Sequence, residues 1–225
     1  DKYITNNNDI LSLFRKAITK NGGEGDELML VAMYKNGVIS NPAVRLPADA
    51  SNPDMLAMSY VVKHGMLEII NKFIAMYTQA DLKSTLQKYP RILIAAIDST
   101  PMKSPSQQIE VVETLLNLGV NPDGVGVWEQ SEPTPLIKAV QVDKGELVVA
   151  LLKGGANPNL LSKNRSGTGG IDTTPLIEAI MKNNELIVGL LLENKADPNL
   201  SDSKGTVPLN LAINLKNKNI IKMLR

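Results

Sequence analysis

The chain has 225 residues, 43% of them apolar but only 4% aromatic, so it can bury a core and that core must be aliphatic. Its 24 basic and 23 acidic residues leave a formal charge of +1, which gives no global electrostatic reason to expect nucleic acid or an anionic membrane as partner. The absence of Cys excludes disulfides, thiolate chemistry and Cys-based zinc sites, and apolar runs such as 28–33 and 92–97 fall far short of the ~20 residues of a membrane span.

Residues 1–20 lack the apolar segment of a secretory signal. Residues 1–53 read as a helix (8–20), a Gly-rich turn (21–25), a second helix (26–37) and a long Pro-containing loop (38–53). A helical cap over the apolar face of the first repeat is the simplest use of this segment, with a degenerate repeat as the alternative.

Residues 57–74, AMSYVVKHGMLEIINKFI, fit a pair of short helices with Gly65 in the turn and Ile69, Ile70, Phe73 and Ile74 along the second. His64 in that turn is the only histidine. One His and no Cys cannot build a His-rich or Cys/His metal site, so a polar turn residue is the simpler reading. The methionines of the first eighty residues fall mostly in helical stripes, where core filling is expected.

Residues 91–97, RILIAAI, open the next helix pair, and LLNLGVNPD (115–123) closes it. About eight extra residues within 98–108, including Pro101 and Pro105, are expected to form a loop between the two. Trp128, the only Trp, lies beyond them in DGVGVWEQSEP. It either packs on its own repeat or is offered to a partner, since Trp is enriched at binding hot spots.

The next stretch is written twice. Residues 134–159 read TPLIKAVQVDKGELVVALLKGGANPN, and 174–199 read TPLIEAIMKNNELIVGLLLENKADPN, identical at 11 of 26 positions. Thr134 suits an N-cap and Pro135 the first helical position, where its missing N–H costs nothing. Leu136, Ala139 and Val140 follow at helical spacing, with a break near Asp143–Gly145. Leu147, Val148, Leu151 and Leu152 form a second stripe. Gly155 can end that helix in a left-handed turn.

The unit is therefore helix, tight turn, helix, loop. Neither helix is long enough to be stable alone, so each unit must stack on a neighbour. A further copy opens at Val207-Pro208-Leu209, continues through Ala212, Ile220, Ile221 and Leu224, and stops inside its second helix, from which further sequence is expected beyond it. Between copies, SGTGG (166–170) lacks the spacing of a phosphate-binding loop and reads as an exposed finger. NGGEG at 21–25 reads as a turn. Asp143, Glu146, Glu178, Glu185 and Glu193 are scattered carboxylates expected on the solvated surface, and no second carboxylate is forced near Glu178.

A period near 33, the Thr-Pro-Leu openings (Thr134-Pro135-Leu136 with Ala139, Thr174-Pro175-Leu176 with Ala179), and the closes at Leu151-Leu152 with Gly155-Ala156 and Leu191-Leu192 with Ala196 resemble ankyrin repeats. The resemblance is strong over 115–225 and fades before residue 50. Two features depart from the pattern. The family usually has His after Thr-Pro-Leu, whereas Ile137, Ile177 and Asn210 stand here, so apolar packing must replace its hydrogen bonds at 137 and 177. The loops before Thr134 and Thr174 are also three and seven residues longer than the one before Val207.

The resemblance implies an all-α ankyrin-repeat solenoid of about four helix pairs with an N-terminal helical cap. The implied division is a cap or degenerate repeat over 1–53, then repeats near 54–89, 90–133, 134–173 and 174–206, with a truncated one at 207–225. It implies a non-catalytic module that binds another protein, with no cofactor, metal, nucleic acid or membrane, and a monomer.

In the family, binding uses finger loops, here about 123–133, 160–173 and 200–205, and exposed inner-helix positions. Aligned to Lys138 and Gln141, those positions are Tyr60 and Lys63, Ile94 and Ile97, Glu178 and Met181, and Leu211 and Asn214. With Trp128 they form the expected partner face. The excess of Lys over Arg, the abundant Asn, and GANPN and KADPN resemble arrays of intracellular bacteria, many of them injected into host cells. That implies a cytoplasmic site of action, the host cytosol for a secreted effector.

One alternative is the targeting region of a larger enzyme whose catalytic part lies outside this chain. A small-ligand or nucleic-acid binder is disfavoured by near-zero net charge and scarce aromatics.

Overall fold

The structure, a computed structural model, describes residues 62, 70–71, 92–98, 105–124, 133–163 and 172–225. The expected cap over 1–53, nearly all of the helix pair over 54–89, and the tips of the two longer fingers (125–132 and 164–171) lie outside these residues.

Four helix pairs succeed one another among the described residues: α1 (Ile92–Ile97) with α2 (Pro105–Asn117), α3 (Pro135–Gln141) with α4 (Gly145–Lys153), α5 (Pro175–Met181) with α6 (Glu185–Glu193), and α7 (Pro208–Asn214) with α8 (Lys218–Met223). Each helix packs on its own partner. The first helices α1, α3, α5 and α7 also stack on one another, as do the second helices α2, α4, α6 and α8. The result is a two-layer all-α solenoid in which each described pair packs mainly on the pairs beside it.

The helix ends follow from residue chemistry. Thr134 Oγ1 accepts from the Ile137 N–H at 3.2 Å, and Thr174 Oγ1 from the Ile177 N–H at 3.1 Å, with Pro135 and Pro175 as the first helical residues. Val207 occupies the same position in the last pair without a side-chain cap. Asn184 caps α6 and Asn217 caps α8.

At the other ends, each helix from α2 to α7 finishes on a residue with positive φ: Gly119, Asp143, Gly155, Asn183, Lys195 and Lys216. After α4 the Gly155 N–H reaches the Leu152 carbonyl (3.0 Å) and the Ala156 N–H reaches that of Leu151 (3.0 Å), the paired bonds of a Schellman close. The other five ends repeat that pattern.

The core runs unbroken along the stack. Leu136, Ala139 and Val140 of α3 are buried with Leu147, Val148 and Leu151 of α4, and their counterparts Leu176, Ala179, Ile180, Ile187, Val188 and Leu191 in the next pair are likewise within 1% of full burial. Ile137 and Ile177, which stand where the family usually has His, are also buried, so apolar side chains fill those positions.

Two expectations are corrected. The stretch read as a loop up to residue 108 ends earlier, because α2 starts at Pro105 and runs for 13 residues. Proline suits the first position of a helix. The fourth residue, Gln108, is 2% exposed, and its Nε2 donates to the Ala96 and Ile97 carbonyls at 2.9 Å each, satisfying groups that the end of α1 leaves open. The second correction concerns Ile94, Ile97 and Glu178, assigned to exposed inner-helix positions. Ile94 is 8% exposed and Ile97 2%, because both are packed in the α1 layer, and Glu178 is 3% exposed beneath its neighbours on α3 and α7.

Candidate protein-binding face

The finger between α4 and α5 is anchored by a short antiparallel pair, β1 (Ser162–Lys163) and β2 (Asp172–Thr173), with Ser162 opposite Thr173 and Lys163 opposite Asp172. Adjacent fingers are stitched together. The Ser162 hydroxyl accepts from the Thr134 N–H, and the Ser203 hydroxyl accepts from the Asp172 N–H, each at 2.9 Å. The Ser203 N–H donates to the Asp172 carbonyl at 2.9 Å. The stems of the projecting loops are therefore held in fixed register even where the repeats differ in length.

A second ladder runs along the loops that close the repeats. Asp123 Oδ1 accepts from the Asn157 N–H (2.8 Å), and Asn159 Oδ1 accepts from the Asp197 N–H (2.7 Å) while its amide donates to the Lys195 carbonyl (3.0 Å). This gives the Asn-Pro-Asp and Asn-Pro-Asn closes a physical role: their polar side chains bond the backbone of the neighbouring repeat.

On the inner helices, Lys138 Nζ pairs with Asp98 Oδ1 across the α1–α3 boundary at 2.7 Å, and both side chains keep contact with water. Glu178 lies one repeat further. Burial pushes its carboxyl above the ordinary value, while the Lys182 charge and a hydrogen bond from the Gln141 side chain partly oppose the shift. Met181 is 47% exposed, Asn214 is exposed, and Gln141 and Leu211 are half-buried. Trp128, Tyr60 and Lys63 lie outside the described residues.

The structure thus brings Lys138, Gln141, Glu178, Met181 and Asn214 into one inner-helix layer, with Glu178 as a buried hydrogen-bond partner of Gln141. It adds Asp98, Gln108 and Lys144, which sequence reading did not single out. Lys144 Nζ donates to the Gln108 Oε1 at 2.5 Å and ties α2 to the next turn. A pairing between residues 36 apart in the chain leaves no local sequence signal.

Among the described residues, no group of three His, Cys, Asp or Glu side chains is placed to hold a metal ion, and no helix is long and apolar enough to cross a membrane.

Stacked helix pairs with stitched fingers define an α-solenoid repeat protein. The family model for ankyrin repeats (3 copies) matches residues 136–225, and this part of the chain is an ankyrin-repeat array. Ankyrin repeats are generally protein–protein interaction modules. No curated protein matches the chain.

Proposed function

We propose that the chain is a non-catalytic module that binds a partner protein through its finger loops and the inner-helix residues Lys138, Gln141, Met181 and Asn214, with Trp128 in the lengthened finger as an anchor. The observation that carries this reading is a contrast between positions. Buried sites agree from repeat to repeat (Ala139, Ala179 and Ala212), whereas the solvent-side sites at the same register change character, from Gln141 to Met181 to Asn214. A fixed backbone presenting variable side chains is the arrangement that recognition of a particular macromolecule uses.

Within this reading, the Lys-rich, Asn-rich composition favours a bacterial effector acting on host proteins. Affinity capture from a eukaryotic cell lysate, with wild type beside Trp128→Ala/Met181→Glu, tests it. A protein held by wild type and lost by the folded variant supports the face. The same proteins held by both would overturn it, and capture of nothing would count against a host partner.

A further inference from the structure

The edge where the two helices of each pair turn back lies apart from the fingers. The turns of the last two pairs are joined there: Asn217 Nδ2 donates to Asn183 Oδ1 at 2.8 Å and to Glu185 Oε1 at 3.0 Å. Two large apolar side chains stand in water on this edge, Leu186 at 68% and Leu215 at 44% exposure. Leu186 is the more exposed, and its Cδ2 reaches back to within 3.6 Å of where a Cβ on Gly145 would sit.

The fold does not require apolar residues here. The position of Leu186 holds Glu146 in the preceding repeat and Asn219 in the one after it, and the position of Leu215 holds Lys182 one repeat earlier.

The surrounding charge is mainly positive. Lys182, Lys216 and Lys218 are exposed beside these leucines. Against them stand Glu185, held by the neutral amides of Asn217 and Asn219 (2.9 Å from Asn219 Nδ2), and the buried Glu178, which faces Lys182. Residues 203–225 contain five basic side chains and no Asp or Glu, in a chain whose total charge is only +1. Upstream on the same edge the balance shifts toward negative, with Asp143 and Glu146 exposed at the α3–α4 turn and Lys144 between them bonded to Gln108.

We infer that this turn edge is a second docking surface, separate from the finger and inner-helix face, for an acidic amphipathic segment of a partner protein. Apolar side chains of that segment would cover Leu186 and Leu215 while its carboxylates meet Lys182, Lys216 and Lys218. Exposed leucines favour a protein over a nucleic acid, because a phosphate backbone covers no apolar surface. Charge complementarity sets the partner's sign and the direction in which it lies, with its acidic end away from Glu146.

The test uses the full chain and a synthetic helical peptide with Leu and Glu at helical spacing, read by fluorescence anisotropy. Controls are the same peptide with Lys in place of Glu, a scrambled peptide and a single-stranded RNA. The Glu peptide should bind, and the Lys and scrambled peptides should not. Lys216→Glu/Lys218→Glu should weaken binding roughly tenfold or more. Leu186→Ser/Leu215→Ser should also weaken it, which charge alone would not do, and Glu146→Lys should tighten it.

Equal binding of Glu, Lys and scrambled peptides overturns the inference, as does tighter binding of RNA than of the Glu peptide. So does indifference to the leucine variant, whose exposed sites leave the fold intact. Trp128→Ala, which adds no charge near Lys182, should leave peptide binding unchanged. Failure here with loss of capture there refutes this surface alone, and the converse refutes the finger face alone.

Discussion

Gln108 shows how one side chain can hold two repeats together. Its amide closes the end of α1, and its carbonyl oxygen accepts from Lys144 of the next pair. Replacing it with Ala would leave the Ala96 and Ile97 carbonyls buried without that donor, at a cost of about 1–3 kcal/mol in urea unfolding. Glu178 works in the opposite sense. Its folded pKa is raised by burial, so the stability tied to its neutral form is present below the unfolded pKa and is lost as pH rises through the folded one. Glu178→Gln should therefore be more stable than wild type at neutral pH and should converge with it below the ordinary carboxylate range, measured by thermal unfolding across pH. A wild-type advantage at neutral pH would mean that the pairing with Lys182 outweighs desolvation.

The repeated helix ends allow a test by substitution in opposite directions. Gly155 and Lys195 occupy the same turn with φ of +91 and +69. Nothing lies within 4 Å of a Cβ built on Gly155, so Gly155→Ala carries only the conformational cost, about 1–2 kcal/mol of stability. Lys195→Gly should gain up to ~1 kcal/mol by the same reasoning, read by equilibrium denaturation. By contrast, a Cβ on Gly154 would meet Leu116 Cδ1 at 2.7 Å, so a side chain there requires the half-buried Leu116 side chain of α2 to shift.

These elements were legible in the sequence where one residue type serves one local need. Threonine before proline starts two of the helices and glycine or asparagine ends three, while Val207, Asp143, Lys195 and Lys216 fill the same positions without that signal. The start of α2 was hidden because Pro101 and Pro105 together look like a loop, and only Gln108's contact with α1 shows which proline opens the helix. Glu178 was misplaced for a related reason. The period puts it at the register of Lys138, but the depth of that register is set by neighbouring side chains, which sequence spacing does not report.

At the scale of the molecule, stability is expected to be a sum over neighbouring pairs, and binding a property of the surface that their stacking makes continuous. The family and layer architecture could be read from the period. The candidate face could be read only in part, since alignment places residues at a register without saying which of them reach water. Met181 and Asn214 do; Ile94, Ile97 and Glu178 do not.

Binding of a partner protein by the fingers and inner helices is tested most directly by hydrogen exchange of the chain alone and in complex with the captured partner, resolved to single peptides. Slowed exchange is predicted at residues 123–133 and 160–173 and along α3, α5 and α7, with α4 and α6 unchanged. Protection confined to α4 and α6, with the fingers exchanging as in the free chain, would contradict that assignment.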